Sequence, residues 1–452
     1  MMGTLRFSKR SAQTGEQPIS YYMQQGVENP RLISLAAGLV DPESLPADEV
    51  REVVAELLAN PATAQTALQY GTTQGYAPLR AKIHRHLLAQ DGLKPSEVGY
   101  NSDDIVVTTG SQQLLYTLGE ALLDPGDIVI TEAPSYFVYH GVLNSLGIRT
   151  LSVPMDHEGM CTDALEVVLA RLEEAGELPR VKLIYTIDYY QNPTGLTLSL
   201  HRRRQMLELA RRYSKAGRIL ILEDAAYREL RFSGDDLPSI KSFDRANEHV
   251  ILAMTFSKPL SPGLKTGYAV LPRDLVGPLL RFKGNHDFGS SNFNQHILDR
   301  LMETGAYDRH AERLRGVYRA KRDTLLAALA EEFPEARSSM RWTRPDGGLY
   351  VWLSCPPEVA TGPGSRFMEA AMREGVLYVP GVFCYVKEGA PSPPTPLPGG
   401  EGGNAPNCEA RLCFGVASHD DLREAVRRLG AAARETLRGE KIAMRGFAGC
   451  KV

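Results

Sequence analysis

Thr255-Phe256-Ser257-Lys258-Pro259-Leu260-Ser261-Pro262-Gly263-Leu264-Lys265-Thr266-Gly267 has the residue types of a reactive site, and it follows the apolar run Val250-Ile251-Leu252-Ala253-Met254. The run is short and apolar enough to be a buried strand. A lysine just past such a strand is costly to bury unless it is paired or chemically committed. Ser257 and Thr255 supply hydroxyls before Lys258, and a second lysine, Lys265, follows the Ser-Pro-Gly turn. That combination suits an amine nucleophile beside a phosphate. An isolated Ser-Lys in a turn reads as simply as a solvated surface loop, so the rest of the chain has to decide.

The elements that would position these residues alternate. Strand candidates at 104–108, 127–131, 150–153, 181–186, 218–223 and 250–255 are separated by helical stretches at 110–123, 140–146, 162–175 and 200–216. Strands alternating with helices predict an α/β fold with a largely parallel sheet and helices on both faces. Ligands of such sheets sit in the crevice outside the carboxyl ends of the strands. Ser111, Tyr136, Asn192, Asp224 and Lys258 all fall just past those ends. Loops are rich in such residues, which accounts for any one of them but less comfortably for five at equivalent positions. Earlier in the chain, helices are expected at 47–58 and 78–90, after a polar arm. Beyond residue 280 the texture changes to a long amphipathic helix at 308–333, strands near 347–353, 376–379 and 410–414, and helices at 366–374 and 420–437, which together read as a smaller α+β domain.

The 452 residues exceed one compact core, and the near balance of 51 basic and 54 acidic residues (51 − 54 = −3) indicates no general attraction to nucleic acid or anionic membrane. Six cysteines without a CxxC pattern argue against a structural zinc site or a disulfide framework, and fit reduced thiols in a cytoplasm. No run approaches the roughly 18 apolar residues of a membrane span, and the N-terminus has no apolar signal core. No metal site and no membrane association are expected. Residues 388–407 are dominated by Pro, Gly and Ser and read as a flexible insertion.

With Asn192 the motifs become specific. Tyr70-Gly-Thr-Thr-Gln-Gly-Tyr-Ala-Pro-Leu-Arg80, Thr109-Gly-Ser-Gln-Gln113, Pro134-Ser-Tyr136, Gln191-Asn-Pro-Thr-Gly195, Glu223-Asp224-Ala-Ala-Tyr227, Phe256-Ser-Lys258, Lys265-Thr-Gly267, Pro345-Asp-Gly-Gly348 and Arg411-Leu occur in that order. Together they resemble the fold-type I pyridoxal-phosphate aminotransferases of class I/II, on the branch of the aminoadipate and kynurenine aminotransferases. The resemblance covers residues 33–437.

It implies a division into an N-terminal arm (1–32), a first segment of a small domain (33–60), a large cofactor-binding domain (61–290), the C-terminal small domain (291–437) and a tail (438–452). It implies pyridoxal 5′-phosphate as cofactor, with Lys258 as the Schiff-base lysine and Asp224 facing the pyridine nitrogen. Asn192 and Tyr227 would bond the phenolic oxygen, and Tyr136 would stack on the ring. Ser111, Gln112, Thr255 and Lys265 would hold the phosphate, joined by Tyr70 from the neighbouring subunit of a homodimer. Arg411, Asn192 and Gly38 would bind the substrate, Arg411 through its α-carboxylate. The activity implied moves an amino group between an L-amino acid and a 2-oxo acid. A lyase or decarboxylase on the same fold shares Lys258 and Asp224. The effector-sensing domain of a transcription regulator would carry a DNA-binding module ahead of this fold, for which the thirty or so preceding residues are too few. Three positions depart from the family pattern: Lys265 stands where arginine is usual, Asp188 where proline is frequent, and Ala225 where an acid is common.

Overall fold

Five runs, Ile105–Thr108, Ile128–Ala133, Val181–Thr186, Leu220–Asp224 and Val250–Thr255, are buried at nearly every position. Strands covered on both faces have this continuous apolar texture. In the computed structural model, which describes residues 5–336, 338–386 and 407–448, they form the middle of a large sheet. In chain order the strands are β1 (Ile33–Ser34), β2 (Ile105–Thr108), β3 (Ile128–Ala133), β4 (Arg149–Asp156), β5 (Gly159–Met160), β6 (Val181–Thr186), β7 (Leu220–Asp224), β8 (Val250–Thr255), β9 (Gly267–Val270), β10 (Arg341–Trp342), β11 (Tyr350–Ser354), β12 (Val376–Leu377), β13 (Val379–Pro380) and β14 (Glu409–Cys413).

The large sheet has eight strands in the order β2-β9-β8-β7-β6-β3-β4-β5. The pairs β8/β7, β7/β6, β6/β3 and β3/β4 are parallel. The fold is therefore α/β with a mostly parallel sheet. Alternate residues feed opposite faces. Val129, Leu183, Leu222 and Ile251 join a core continuous with the C-terminal layer. Ile128, Ile130, Ile184 and Ile221 pack beneath helices Thr162–Glu174 and Leu200–Tyr213. A second sheet, β10-β11-β14-β13, is antiparallel. The first strand, β1, pairs with β12, so the N-terminal segment crosses to the C-terminal part of the chain.

The structure corrects several expectations. The sheet does not close at β8: β9 runs back antiparallel to both β8 and β2. It is only four residues long and follows a loop rather than a helix, so it reads in sequence as part of that loop. Helices Pro61–Leu68, Arg273–Asp287 and Asn292–Glu303 were not anticipated. The N-terminal stretch, expected as an arm or short helix, holds two short helices, Lys9–Gln13 and Pro18–Glu28. The last helix runs His419–Ala448, well past the expected start of a tail. Of the insertion at 388–407, only Asn407 lies among the described residues; its carbonyl accepts a hydrogen bond from Thr361 N at 2.6 Å. Among the described residues no helix is long and apolar enough to cross a membrane, and no cluster of side chains is suited to hold a metal ion.

Candidate active site

The turn after β8 is tight. Leu260 N and Ser261 N both donate to Phe256 O, and Phe256 N donates to Thr266 O, so the chain folds back at once into β9. Lys258 projects from this turn, half-buried, and its Nζ donates to Gly38 O at 2.7 Å. The ammonium lies 5.9 Å from the Tyr227 ring centroid. Burial pushes the Lys258 pKa down to about 8; Cys413 opposes that shift, and the Arg411 and Lys265 charges add to it. An amine depressed this far has a substantial neutral fraction at ordinary pH, as a nucleophile requires.

Asp224 ends β7 and is buried. Its Oδ2 accepts from Tyr185 Oη at 3.0 Å and its Oδ1 from Ala226 N at 3.3 Å. Burial pushes the carboxyl up to about 6, against the pull of those two bonds. Three residues on, the Tyr227 hydroxyl lies 3.1 Å from that of Tyr350. Tyr136, at the N-cap of helix Phe137–Ser145, is in the same field: burial raises its phenol, and Tyr350 and Asp224 raise it further.

Arg411 comes from β14 in the other sheet, yet it closes the same cluster. It is 2 % exposed. One terminal nitrogen donates to Asn192 Oδ1 at 2.9 Å and the other to Ala36 O at 2.6 Å, while Nε has no partner. Its guanidinium carbon lies 4.5 Å from the Tyr350 ring centroid and 5.5 Å from that of Phe137. Among the described residues no carboxylate pairs with it. A buried cation held by aromatic faces and neutral acceptors is incompletely compensated and suits a carboxylate ligand.

A third group lies where helix Gly110–Leu122 meets β8 and β9. Gly110 has φ 72°, and no side chain caps the helix from Thr109. A Cβ on Gly267 would sit 2.9 Å from both Gly110 C and Ser111 N, so glycine there lets the helix start approach the strand. Thr255 Oγ1 donates to Ser257 Oγ at 3.0 Å and accepts from Ser257 N at 3.1 Å. Ser111 is half-buried, whereas Gln112 and Lys265 are exposed. Lys265 adopts φ 47° at the C-cap of the short turn before β9. The open helix start and the hydroxyls, with the cation of the following turn, are donors of the kind a phosphate takes.

Tyr70 stands apart. It is 82 % exposed and packs edge-on against Phe288 at 5.8 Å, with no contact to the other candidates. The fold thus brings together Lys258, Asp224, Tyr227, Tyr136, Asn192, Arg411 and Gly38, with Ser111, Thr255 and Lys265 at the neighbouring helix start, and leaves Tyr70 outside.

Comparison with known proteins gives the family. The family model for aminotransferase class I and II matches residues 30–429. The chain belongs to the class I and II aminotransferases. Aromatic-amino-acid aminotransferase 1 of Thermococcus litoralis is 34% identical over 412 residues, covering 91% of this chain and 90% of that protein. The multiple substrate aminotransferase of Thermococcus profundus superposes with a TM-score of 0.84 at 34% identity, covering 96% of this chain and 98% of that one. The α-aminoadipate aminotransferase of Thermus thermophilus, solved with N-(5′-phosphopyridoxyl)-L-leucine, gives a TM-score of 0.80 at 32% identity, again over 96% and 98%. The protein is a transaminase-class enzyme whose substrate classes are amino acids and 2-oxo acids.

Several residues around the aminotransferase's candidate site were invisible to sequence reasoning. Tyr350 touches Tyr227 and Arg411, and a Cβ on Gly38 would sit 2.2 Å from its hydroxyl, yet in sequence it is one aromatic in a strand. Tyr185 is likewise a strand-interior aromatic until its hydroxyl is seen on Asp224. The aspartate at 188 forms a fully buried ion pair with Arg203, which also stacks on Tyr189 at 4.0 Å. That departure from the family pattern therefore comes with its own counter-charge. Ala225 is buried, its N–H donating to Ala253 O at 2.9 Å.

Proposed function

We propose that this aminotransferase binds pyridoxal 5′-phosphate on Lys258 and transfers the amino group of an L-amino acid to a 2-oxo acid. The observation that carries the reading is the pairing of an amine nucleophile with a carboxylate receptor: Lys258, pushed down to about 8 by burial and in smaller part by Arg411, shares the cluster with that arginine, whose guanidinium is buried with Nε unpartnered. The donor set fits the cofactor. The uncapped helix start beside Gly267 offers N–H groups to a phosphate, and buried Asp224 offers a carboxylate to a ring nitrogen. When bound, pyridoxal phosphate supplies the electron sink that lets a substrate Cα–H bond ionise.

In this reading the chain's own residues have separate tasks. Asp224, ionised at neutral pH, accepts a hydrogen bond from the pyridine nitrogen and favours its protonated form. Tyr227 and Asn192 donate toward the phenolic oxygen, and Tyr136 covers a ring face. Ser111, the backbone at Gln112, Thr255 and Lys265 hold the phosphate. Arg411 grips the amino acid's α-carboxylate, with Asn192 and the Gly38 segment completing that wall. Lys258 Nζ takes the proton from Cα of the donor amino acid and, in the reverse half-reaction, delivers a proton to Cα of the product amino acid, a general acid–base role that its lowered pKa favours.

We further propose the division of the chain into a large domain (61–290) and a small domain (33–60 and 291–437) with the cleft between them. A homodimer is supported by the exposed apolar cluster Leu68 (66%), Tyr70 (82%) and Phe288 (65%), from which Tyr70 would serve the partner's phosphate site. Five unpaired cysteines among the described residues agree with work in a reducing cytoplasm. The test is chemical: borohydride reduction of the cofactor-loaded enzyme should fix the cofactor on Lys258, and attachment to another lysine would overturn the reading.

A further inference from the structure

Two of the loops that carry site residues leave neighbouring strands. Glu132 lies near the end of β3, Pro134 and Tyr136 follow that strand, and Gln191, Asn192 and Thr194 follow β6. Between them lies Gln191, 1% exposed, with every polar group of its side chain committed. Its Nε2 donates to Glu132 Oε1 at 2.9 Å and to Pro134 O at 2.8 Å. Its Oε1 accepts from Thr194 N at 3.1 Å and Thr194 Oγ1 at 2.6 Å. Its backbone closes the turn that holds Asn192, with Gln191 N on Leu196 O at 2.8 Å and Gly195 N on Gln191 O at 2.6 Å. The anchor is equally committed: Glu132, also 1% exposed, accepts from Ile187 N at 2.9 Å and from Thr186 Oγ1 at 3.0 Å. No part of this hub touches Lys258 or Arg411. Its reach into the site is through Asn192, whose Oδ1 receives Arg411, and through the loop carrying Tyr136.

We propose that Gln191 is a positioning residue that bolts the Tyr136 loop to the Asn192 loop, using Glu132 as its anchor, and so holds Asn192 Oδ1 where it orients Arg411 for the substrate carboxylate. This rests on the reading of Arg411 as the carboxylate receptor. Glu132 fits the role of a fixed anchor: burial pushes its carboxyl up to about 7 in spite of its three donors, so removing one of them leaves a costly group behind. Gln191 bonds Glu132 and Pro134 on one side and Thr194 on the other, and Glu132 adds a second tie through Ile187 N, so the register of Tyr136 against Asn192 is set by this Gln191–Glu132 pair.

The experiment uses the cofactor-loaded enzyme and two variants. Gln191→Met keeps the length of the side chain and removes its hydrogen bonds to Glu132, Pro134 and Thr194. Thr194→Val keeps shape and removes only the hydroxyl donor. The readout is the equilibrium dissociation constant of a 2-methyl amino acid, which carries the α-carboxylate but has no Cα–H to react, followed by the cofactor's absorbance. KM and kcat are measured beside it. Gln191→Met should weaken that ligand about tenfold or more and raise KM in parallel, with a fall in kcat smaller than the rise in KM; Thr194→Val should weaken it about threefold. A hub that merely stabilises the fold would lower the melting temperature and leave the constant alone. Unchanged binding within about twofold in Gln191→Met, or in Thr194→Val where the first variant does not fold, overturns the inference. Arg411→Ala separates the two layers: if it too leaves the constant unchanged, the reading of Arg411 is what fails, whereas weakened binding in Arg411→Ala alone defeats only the positioning role.

Discussion

Asp224→Asn should make the cofactor-free protein more stable while disabling the loaded enzyme. The reasoning starts from a carboxyl raised by burial from 3.8 to about 6. About two pKa units correspond to about 3 kcal/mol of preference for the neutral form. The sign follows from proton counting. Between pH 3.8 and about 6 the folded state binds more protons at this site than the unfolded chain does, so its contribution to stability falls as pH rises through that window and the loss is complete above it. Asparagine is neutral throughout and can still accept the Tyr185 hydroxyl bond made to Asp224 Oδ2. Urea unfolding of the cofactor-free protein should therefore show the variant ahead by up to about 3 kcal/mol at pH 7.5, and by roughly half of that at pH 5. In the loaded enzyme the same change removes the charge facing the ring nitrogen, and turnover should drop about 10²- to 10³-fold. A variant no more stable than its parent at pH 7.5, or an advantage that does not change with pH, would refute the assignment of a buried, ionised Asp224.

Two further substitutions probe the ends of the site. Arg411→Ala removes a fully buried guanidinium that touches Asn192 and Ala36, and should raise KM for amino acids about 100-fold, roughly 2–3 kcal/mol, with a smaller change in kcat; steady-state kinetics with a KM within threefold would count against it. Lys265→Arg restores a planar fork at an exposed position with φ 47°, and should tighten cofactor binding about three- to tenfold in equilibrium dialysis. Unchanged or weaker binding would mean that Lys265 does not face the phosphate.

The parts of the site that were legible in sequence are those in which type and spacing act locally. Six of the large sheet's eight strands were legible, five of them as buried apolar runs, and Asp224 at the end of β7 with Ser111, Tyr136, Asn192 and Lys258 beyond strand ends follows from α/β sheets putting ligands there. What stayed hidden depends on contacts between distant segments. Asn192 and Arg411 are 219 residues apart in the chain, and Lys258 and Gly38 are 220 apart. No local pattern reports that the Tyr350 hydroxyl would meet Tyr227 or crowd Gly38. The helix Arg273–Asp287 was masked by Pro278 in its interior, which ordinarily breaks a helix. The strand β9 was hidden by its length and by the Ser- and Pro-containing loop before it, which reads on into it without a helix. Tyr70 was singled out only by resemblance, and its exposure is consistent with a role that needs a second copy of the chain.

The central claim, that Lys258 is the amine that carries the cofactor, is tested most directly by reducing the loaded enzyme with borohydride and mapping the modified peptide. The account predicts a single pyridoxyl group on Lys258 in the parent and none in Lys258→Ala, which should still bind the cofactor reversibly through the Ser111, Thr255 and Lys265 groups. A pyridoxyl group on Lys265 or any other lysine in the parent, or a covalent adduct retained at the site in Lys258→Ala with undiminished transamination, would contradict it.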